Sequence, residues 1–223
     1  MDRPAQQNCY PDNAREDVRP FVPLDVSSVL EVGCGRGGFG RTLRELLGPG
    51  ARLVAVEAVA SSADAARDIG CFDEVVTGYF PEALTTPNER FDLVCFNDVL
   101  EHVVDPAAAL TATLDVLAPG GRVLATIPNV QYASVVYNLI RGRWTYTESG
   151  ILDRTHLRFF TRSSMAGLFH DAGYTVESTH GINPIGDVWQ TDGNTPRRWL
   201  KSLIHPALGN ARYLQFVLVA RRD

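Results

Sequence analysis

The 223-residue chain is long enough for one domain with an elaborated lid, and buries roughly 70% of its unfolded surface. Its net charge of -5, with 45% hydrophobic and 21% charged residues, is ordinary for a globular protein and argues against general affinity for nucleic acid. No run approaches the roughly 20 apolar residues of a membrane helix, and Met1 to Pro23 carries no apolar signal core. A cytoplasmic protein with no membrane insertion is expected.

A polar, proline-rich arm (1–28) comes first. The apolar run Val29–Val32 reads as a buried strand that stops at Gly33-Cys34-Gly35-Arg36-Gly37-Gly38. A helix follows over Phe39–Leu47, with Phe39, Leu43, Leu46 and Leu47 on one face, and ends at Gly48-Pro49. Strands are expected at Leu53–Val56, Glu74–Thr77, Phe91–Phe96 and Val123–Ile127, and helices at Ala60–Ile69 and Pro106–Leu117. The last helix has Asp105-Pro106 as cap and first-turn proline. This alternation predicts a mostly parallel sheet covered on both faces.

After Pro128 the periodicity turns irregular. Residues 129–161 are rich in Tyr, Trp and Arg and read as a lid or substrate insertion. Thr161 caps a helix over Arg162–Ala172, and strands follow at Tyr174–Thr179 and Tyr213–Ala220. Between them, 181–212 reads as a second lid segment carrying Trp189, Arg197, Arg198, Trp199 and Lys201. The expected organisation is one domain, 1–223, whose cofactor-binding core spans 29–128. Cysteines 9, 34, 71 and 95 are scattered without a C-x-x-C pair, which disfavours disulfides or structural zinc.

The glycine turn fits two patterns. Gly33, Gly35 and Gly38 satisfy the dinucleotide fingerprint G-x-G-x-x-G, while Glu31, Gly33, Gly35 and Gly37 satisfy E-x-G-x-G-x-G. Glu57 ends the second strand about 20 residues on, where a carboxylate accepts from ribose hydroxyls in nucleotide-binding α/β folds. Three further features follow in order: Phe91 to His102, Leu117-Ala118-Pro119-Gly120-Gly121-Arg122-Val123, and the closing strand pair. From Val29 to Val219 the set resembles the class I S-adenosylmethionine-dependent methyltransferases. A nicotinamide-dependent oxidoreductase would explain only the first two features. A narrower resemblance, to a bacterial subfamily associated with glycan and polysaccharide biosynthesis, rests on Tyr10 to Arg15, Phe96 to His102, Ile127 to Val130 and Gly150 to Thr161.

The resemblance implies a Rossmann-like α/β fold with seven strands in the order 3-2-1-4-5-7-6, and S-adenosylmethionine as cofactor. Glu31 and the turn Gly33-Cys34-Gly35 would cradle its methionine portion, Glu57 its ribose, and the carbonyl of Asn97 its amino acid end. Tyr79, after Gly78, stands where many relatives carry an acidic residue facing the adenine. The expected reaction is methyl transfer to a hydroxyl, of a sugar or glycan precursor, with His156 and His102 as candidate bases. Arg154 and Arg158, with Tyr146 nearby, would hold an anionic small-molecule acceptor such as a nucleotide-linked sugar; the competing reading is a lid held by salt bridges. Other readings are a natural-product, N- or C-directed methyltransferase and a non-catalytic S-adenosylmethionine-binding subunit.

Asp98, Glu101 and His102 are spaced i, i+3 and i+4, so a helix starting at Asp98 would put all three on one face. The arrangement resembles the E-x-x-E-H of some metal-assisted methyltransferases acting on RNA ribose or quinone hydroxyls, with His156 as a further ligand. A hydrogen-bonded helix start with a capping box is the alternative. A divalent metal is an option here, not the expected cofactor.

Overall fold

The computed structural model of the chain describes residues 13–86, 88–185 and 208–222. Among them one sheet contains seven strands: β1 Ser28–Val32, β2 Arg52–Glu57, β3 Glu74–Thr77, β4 Phe91–Asn97, β5 Leu117–Pro128, β6 Tyr174–Pro184 and β7 Tyr213–Arg222. The order is β3-β2-β1-β4-β5-β7-β6, as expected. The first five are parallel, and β7 runs antiparallel to β5 and β6. The α-helices are α1 Gly38–Leu47, α2 Ala60–Ile69, α3 Pro106–Leu114, α4 Ala133–Ile140 and α5 Arg162–Asp171.

Side-chain alternation along each strand divides the core in two. Leu30, Val54, Val94, Phe96, Ala125 and Leu218 face one layer, with Leu110 of α3 and Met165 and Phe169 of α5. Val29, Leu53, Leu93, Cys95, Leu124 and Val217 face the other, with Phe39 and Leu43 of α1 and Val18 and Val22 of the arm. Central strands buried on both faces read as continuous apolar runs, which is why they were legible. The caps also form as expected: Asp105 accepts from the Ala108 amide, and Thr161 and Ser164 make a reciprocal capping box.

Several boundaries differ. The helix expected to reach Leu117 stops at Leu114, because Leu117 pairs with Phe91 and begins β5, with a register irregularity on its partner between Phe91 and Leu93. The insertion 129–161 contains α4, which the irregular pattern hid. Tyr132 and Val135 pack on Ile151, yet Tyr137, Leu139 and Ile140 are exposed, so apolar residues lie on both sides and blur the helical period. In the second lid segment Gly181 to Pro184 complete β6 and Gly209–Arg212 is a 3-10 turn. Trp189, Arg197, Arg198, Trp199 and Lys201 lie outside the described residues, as do Cys9 and Tyr10.

α1 packs so closely that a Cβ added at Gly40 would stand 2.2 Å from Cζ of Phe72 and 2.8 Å from Sγ of Cys71. Glycine to alanine inside a helix normally gains about 1 kcal/mol. Overpacking typically costs about 1–3 kcal/mol, and the Phe72 ring must move. Gly40→Ala is therefore expected to lower the melting temperature, and adding Phe72→Leu to recover most of the loss.

Candidate active site

Parallel pairing brings the carboxyl ends of β1, β2 and β4 to one edge of the sheet. Glu31 lies opposite Ala55 and Cys95, and Glu57 ends β2 opposite Thr77. The glycine turn is tied across this edge. The Gly33 amide donates to the Val56 carbonyl at 2.8 Å. The Glu57 carboxylate accepts from the Gly35 amide and, through its other oxygen, from the Val59 amide, both at 2.8 Å. A cavity of about 630 Å³ opens here, and Glu31, Gly33, Cys34, Gly35, Glu57, Gly78, Tyr79 and Asn97 all line it. It lies where ligands bind in open α/β sheets, outside the carboxyl ends of the strands.

Glu31 is 2% exposed, and its Oε2 has no hydrogen-bond partner among the described residues. Burial, then repulsion from Glu57, pushes its pKa up to about 8. Both side-chain polar atoms of Asn97 are buried and equally unpartnered. Buried polar atoms are normally satisfied, so an orphaned carboxyl and amide on one cavity wall call for a polar, cationic ligand group. Gly35 has φ +54°, and a Cβ there would meet nothing within 4 Å, which leaves room over its backbone. These features fit the amino acid end of S-adenosylmethionine. Burial raises the Cys34 thiol far above its usual range, so this cysteine lines the wall as an inert group. At the far end Tyr79 is largely exposed, at the mouth.

The segment after β4 overturns the expected helix. Asp98 sits at φ +55°, and no helix lies between β4 and α3. Its carboxylate turns from Glu101 and His102 to accept from Arg15, from Gln215 at 2.8 Å and from the Thr126 hydroxyl at 3.1 Å. The predicted capping box and the predicted metal-ligand role of Asp98 both fail for this reason.

Glu101, His102 and His156 do converge. The Glu101 carbonyl accepts from the Leu157 and Arg158 amides at 2.8 and 3.1 Å, which docks the lid beside it. The Glu101 side chain is 1% exposed, neither oxygen has a hydrogen-bond partner among the described residues, and burial holds its pKa well above the carboxylate range. Nε2 of His156 is 4.0 Å from Oε1 of Glu101, and the two imidazoles meet edge to face at 4.7 Å. Nδ1 of His156 lies 2.9 Å from the Ile151 carbonyl. A carbonyl only accepts, so Nδ1 donates in this contact and Nε2 is the ring nitrogen left to face Glu101. Nδ1 of His102 faces the Thr155 carbonyl at 3.3 Å, and burial followed by the neighbouring His156 lowers its pKa.

The lid arginines are engaged elsewhere. Arg154 pairs with Glu148 at 2.7 Å, Arg158 donates to the Val104 carbonyl at 2.7 Å, and neither lines the cavity. Tyr146 packs with Trp144 and Phe159. The cavity is instead lined by residues that sequence reasoning did not name as site residues: Asn13, Arg15, Leu214 and Gln215. Arg15 is 7% exposed and bridges Asp17, Asp98 and Gln215. Asp98 and Gln215 lie 83 and 200 residues away, so no local pattern announces the contact.

A sequence family described as a methyltransferase domain matches residues 10–179. A ubiquinone biosynthesis O-methyltransferase from Methylobacterium nodulans is 30% identical over 190 residues, covering 80% of this chain and 73% of the relative. One of the same name from Cereibacter sphaeroides is 27% identical, covering 78% and 71%. A SAM-dependent methyltransferase from Archaeoglobus fulgidus superposes with a TM-score of 0.66 at 18% identity, covering 92% of this chain and 91% of that one.

The raised pKa of Glu31 has a consequence for stability. The folded state holds this proton more tightly than the unfolded chain, so the group's contribution is present at low pH and is lost as pH rises from the ordinary carboxylate range to about 8. Glu31→Gln is expected to be neutral near pH 5 and to melt several degrees above the wild type at pH 8, measured on ligand-free protein by calorimetry.

Proposed function

This chain belongs to the class I S-adenosylmethionine-dependent methyltransferases, and on that premise we propose that it methylates a hydroxyl oxygen of a small molecule, with His156 as the base. The observation that carries this reading is the placement of His156: a ring held at Nδ1 by the Ile151 carbonyl, in a cavity that Glu31, Asn97 and Glu57 also line.

When bound, S-adenosylmethionine supplies a methyl group already activated on a sulfonium. Glu31 and Asn97 hold the amino acid end, Glu57 accepts from the ribose while keeping its two amide contacts, and Gly78 with Tyr79 borders the adenine. Arg15 donates to the Asp98 carboxylate and holds it in place beside this cluster. His156 takes the acceptor's hydroxyl proton on Nε2. Glu101, whose pKa burial raises well above the carboxylate range, stands 4.0 Å from that nitrogen. Val103, Ile151 and Leu214 give this end apolar walls. Alignment of donor and acceptor can contribute roughly 7–11 kcal/mol, and a positioned base about 10²–10⁴-fold.

Two acceptor classes are compatible with a hydroxyl nucleophile. The names of the relatives favour an intermediate of ubiquinone biosynthesis; the Gly150 to Thr161 block favours a sugar or glycan precursor. The second no longer draws support from Arg154 and Arg158. A second reading of the site adds a divalent cation, favoured because ligand atoms of Glu101, His102 and His156 lie within 4.8 Å of one another. Two imidazoles and a carboxylate suit such an ion, which would lower the hydroxyl's pKa.

Incubation with isotopically labelled donor and both acceptor classes, read by mass spectrometry, should yield an O-methylated product. N- or C-methylation, or binding of donor without turnover, would overturn the reading. His156→Ala should lower kcat by about 10²–10⁴-fold without changing S-adenosylhomocysteine affinity. Turnover abolished by chelation and restored by magnesium or manganese would favour the cation reading; turnover indifferent to chelator would eliminate it.

Donor binding should also move a proton. Below pH 8 the free protein holds Glu31 protonated, and pairing with the ligand's ammonium requires the carboxylate. S-adenosylhomocysteine affinity is therefore expected to rise with pH up to about 8, with proton release detectable by titration calorimetry in buffers of different ionisation enthalpy. Glu31→Gln should weaken binding by about tenfold and remove the proton release.

A further inference from the structure

A second, open cavity of about 370 Å³ lies among exposed residues of the lid and shares Ile151 and Leu214 with the wall of the first. Its size suits a small-molecule fragment. One side is α4, which presents Ser134, Val135 and Asn138. The other is the extended run after Gly142, where alternate residues part. Arg143, Thr145 and Thr147 line the cavity, while Trp144 and Tyr146 turn away to pack on Phe159, with ring centroids at 5.1 and 6.3 Å. Such alternation is the period of an extended chain, and it splits the run into a polar face and an aromatic face.

The cavity differs chemically from the first. No carboxylate lines it among the described residues, and its one cation is Arg143. The Arg143 backbone amide is anchored to the Asn138 carbonyl at 2.9 Å, but its guanidinium has no hydrogen-bond or ion-pair partner among the described residues. Contrast Arg154, which is neutralised by Glu148, and Arg158, which is spent on a backbone carbonyl. A guanidinium fork beside hydroxyl and amide side chains suits a phosphate and the hydroxyls of a sugar better than an apolar tail.

We propose that this second cavity is a subsite for the distal part of the methyl acceptor, and that it takes a phosphorylated, hydroxyl-rich group, of the sugar phosphate class. Ile151, whose carbonyl also holds the base His156, lines both compartments. The proposal deepens the hydroxyl-methylation reading and rests on it only for the identity of the occupant as acceptor.

The test titrates the full chain with glucose 1-phosphate, with and without S-adenosylhomocysteine, by calorimetry. Binding is expected in the wild type and weaker binding of glucose itself. Arg143→Ala should reduce glucose 1-phosphate affinity by at least about tenfold and Arg143→Lys should recover part of it, while S-adenosylhomocysteine affinity is the same in all three. No binding of glucose 1-phosphate to the wild type, or equal affinity in Arg143→Ala, would overturn the subsite. Failure of S-adenosylhomocysteine to bind, with glucose 1-phosphate retained and dependent on Arg143, would overturn the donor reading and support the subsite by itself.

Discussion

The Glu57 carboxylate, shared between the amides of Gly35 and Val59, is the contact on which the site depends. It joins the turn after β1 to the start of α2 across two strands, and so sets the floor of the cavity. A carboxylate accepting two backbone N–H groups is held in one orientation, and its remaining lone pairs face the cavity. Burial raises the pKa of this group, and the backbone amides it accepts from pull it back down; Glu31 has no such donors to offset its burial.

Charge is divided along the cavity. Glu31 and Glu101 are both buried and unpartnered, and both are held toward the neutral form. Asp98, between them in the chain, instead has a cationic partner in Arg15. The arm thus does more than cover apolar surface. Val18 and Val22 anchor it in one core layer, and that anchoring places Arg15 where it can take Asp98 out of the imidazole cluster. A buried carboxyl that lacks a partner destabilises a fold, so two in one cavity indicate stability given up for ligand binding.

The lid combines three tasks in a short stretch. The Glu101 carbonyl docks it, the Ile151 carbonyl orients the base, and the run after Gly142 separates an aromatic face from a polar one. These contacts use backbone groups, which any residue supplies. They leave little trace in composition, and that is why the insertion looked irregular when read as sequence.

What the sequence determined by itself is the local part of the protein. The central strands were legible because burial on both faces demands unbroken apolar runs, and two helix starts because the Asp105 and Thr161 side chains cap free amides while Pro106 has no amide hydrogen to satisfy. Glu31, Glu57 and Asn97 were legible because each stands at or one residue before the end of a strand, and parallel strands end together. The helix α4 was missed, since its apolar residues face both a small core and solvent. Only the tertiary structure decided the rest. It turned Asp98 toward Arg15, where a helix of the expected register would have aimed it at His102. It occupied Arg154 and Arg158 within the lid and left Arg143 unpaired among the described residues. Periodicity reports which face of an element is buried, but the partner of a charged side chain depends on residues up to 200 positions away, and only folding brings those together.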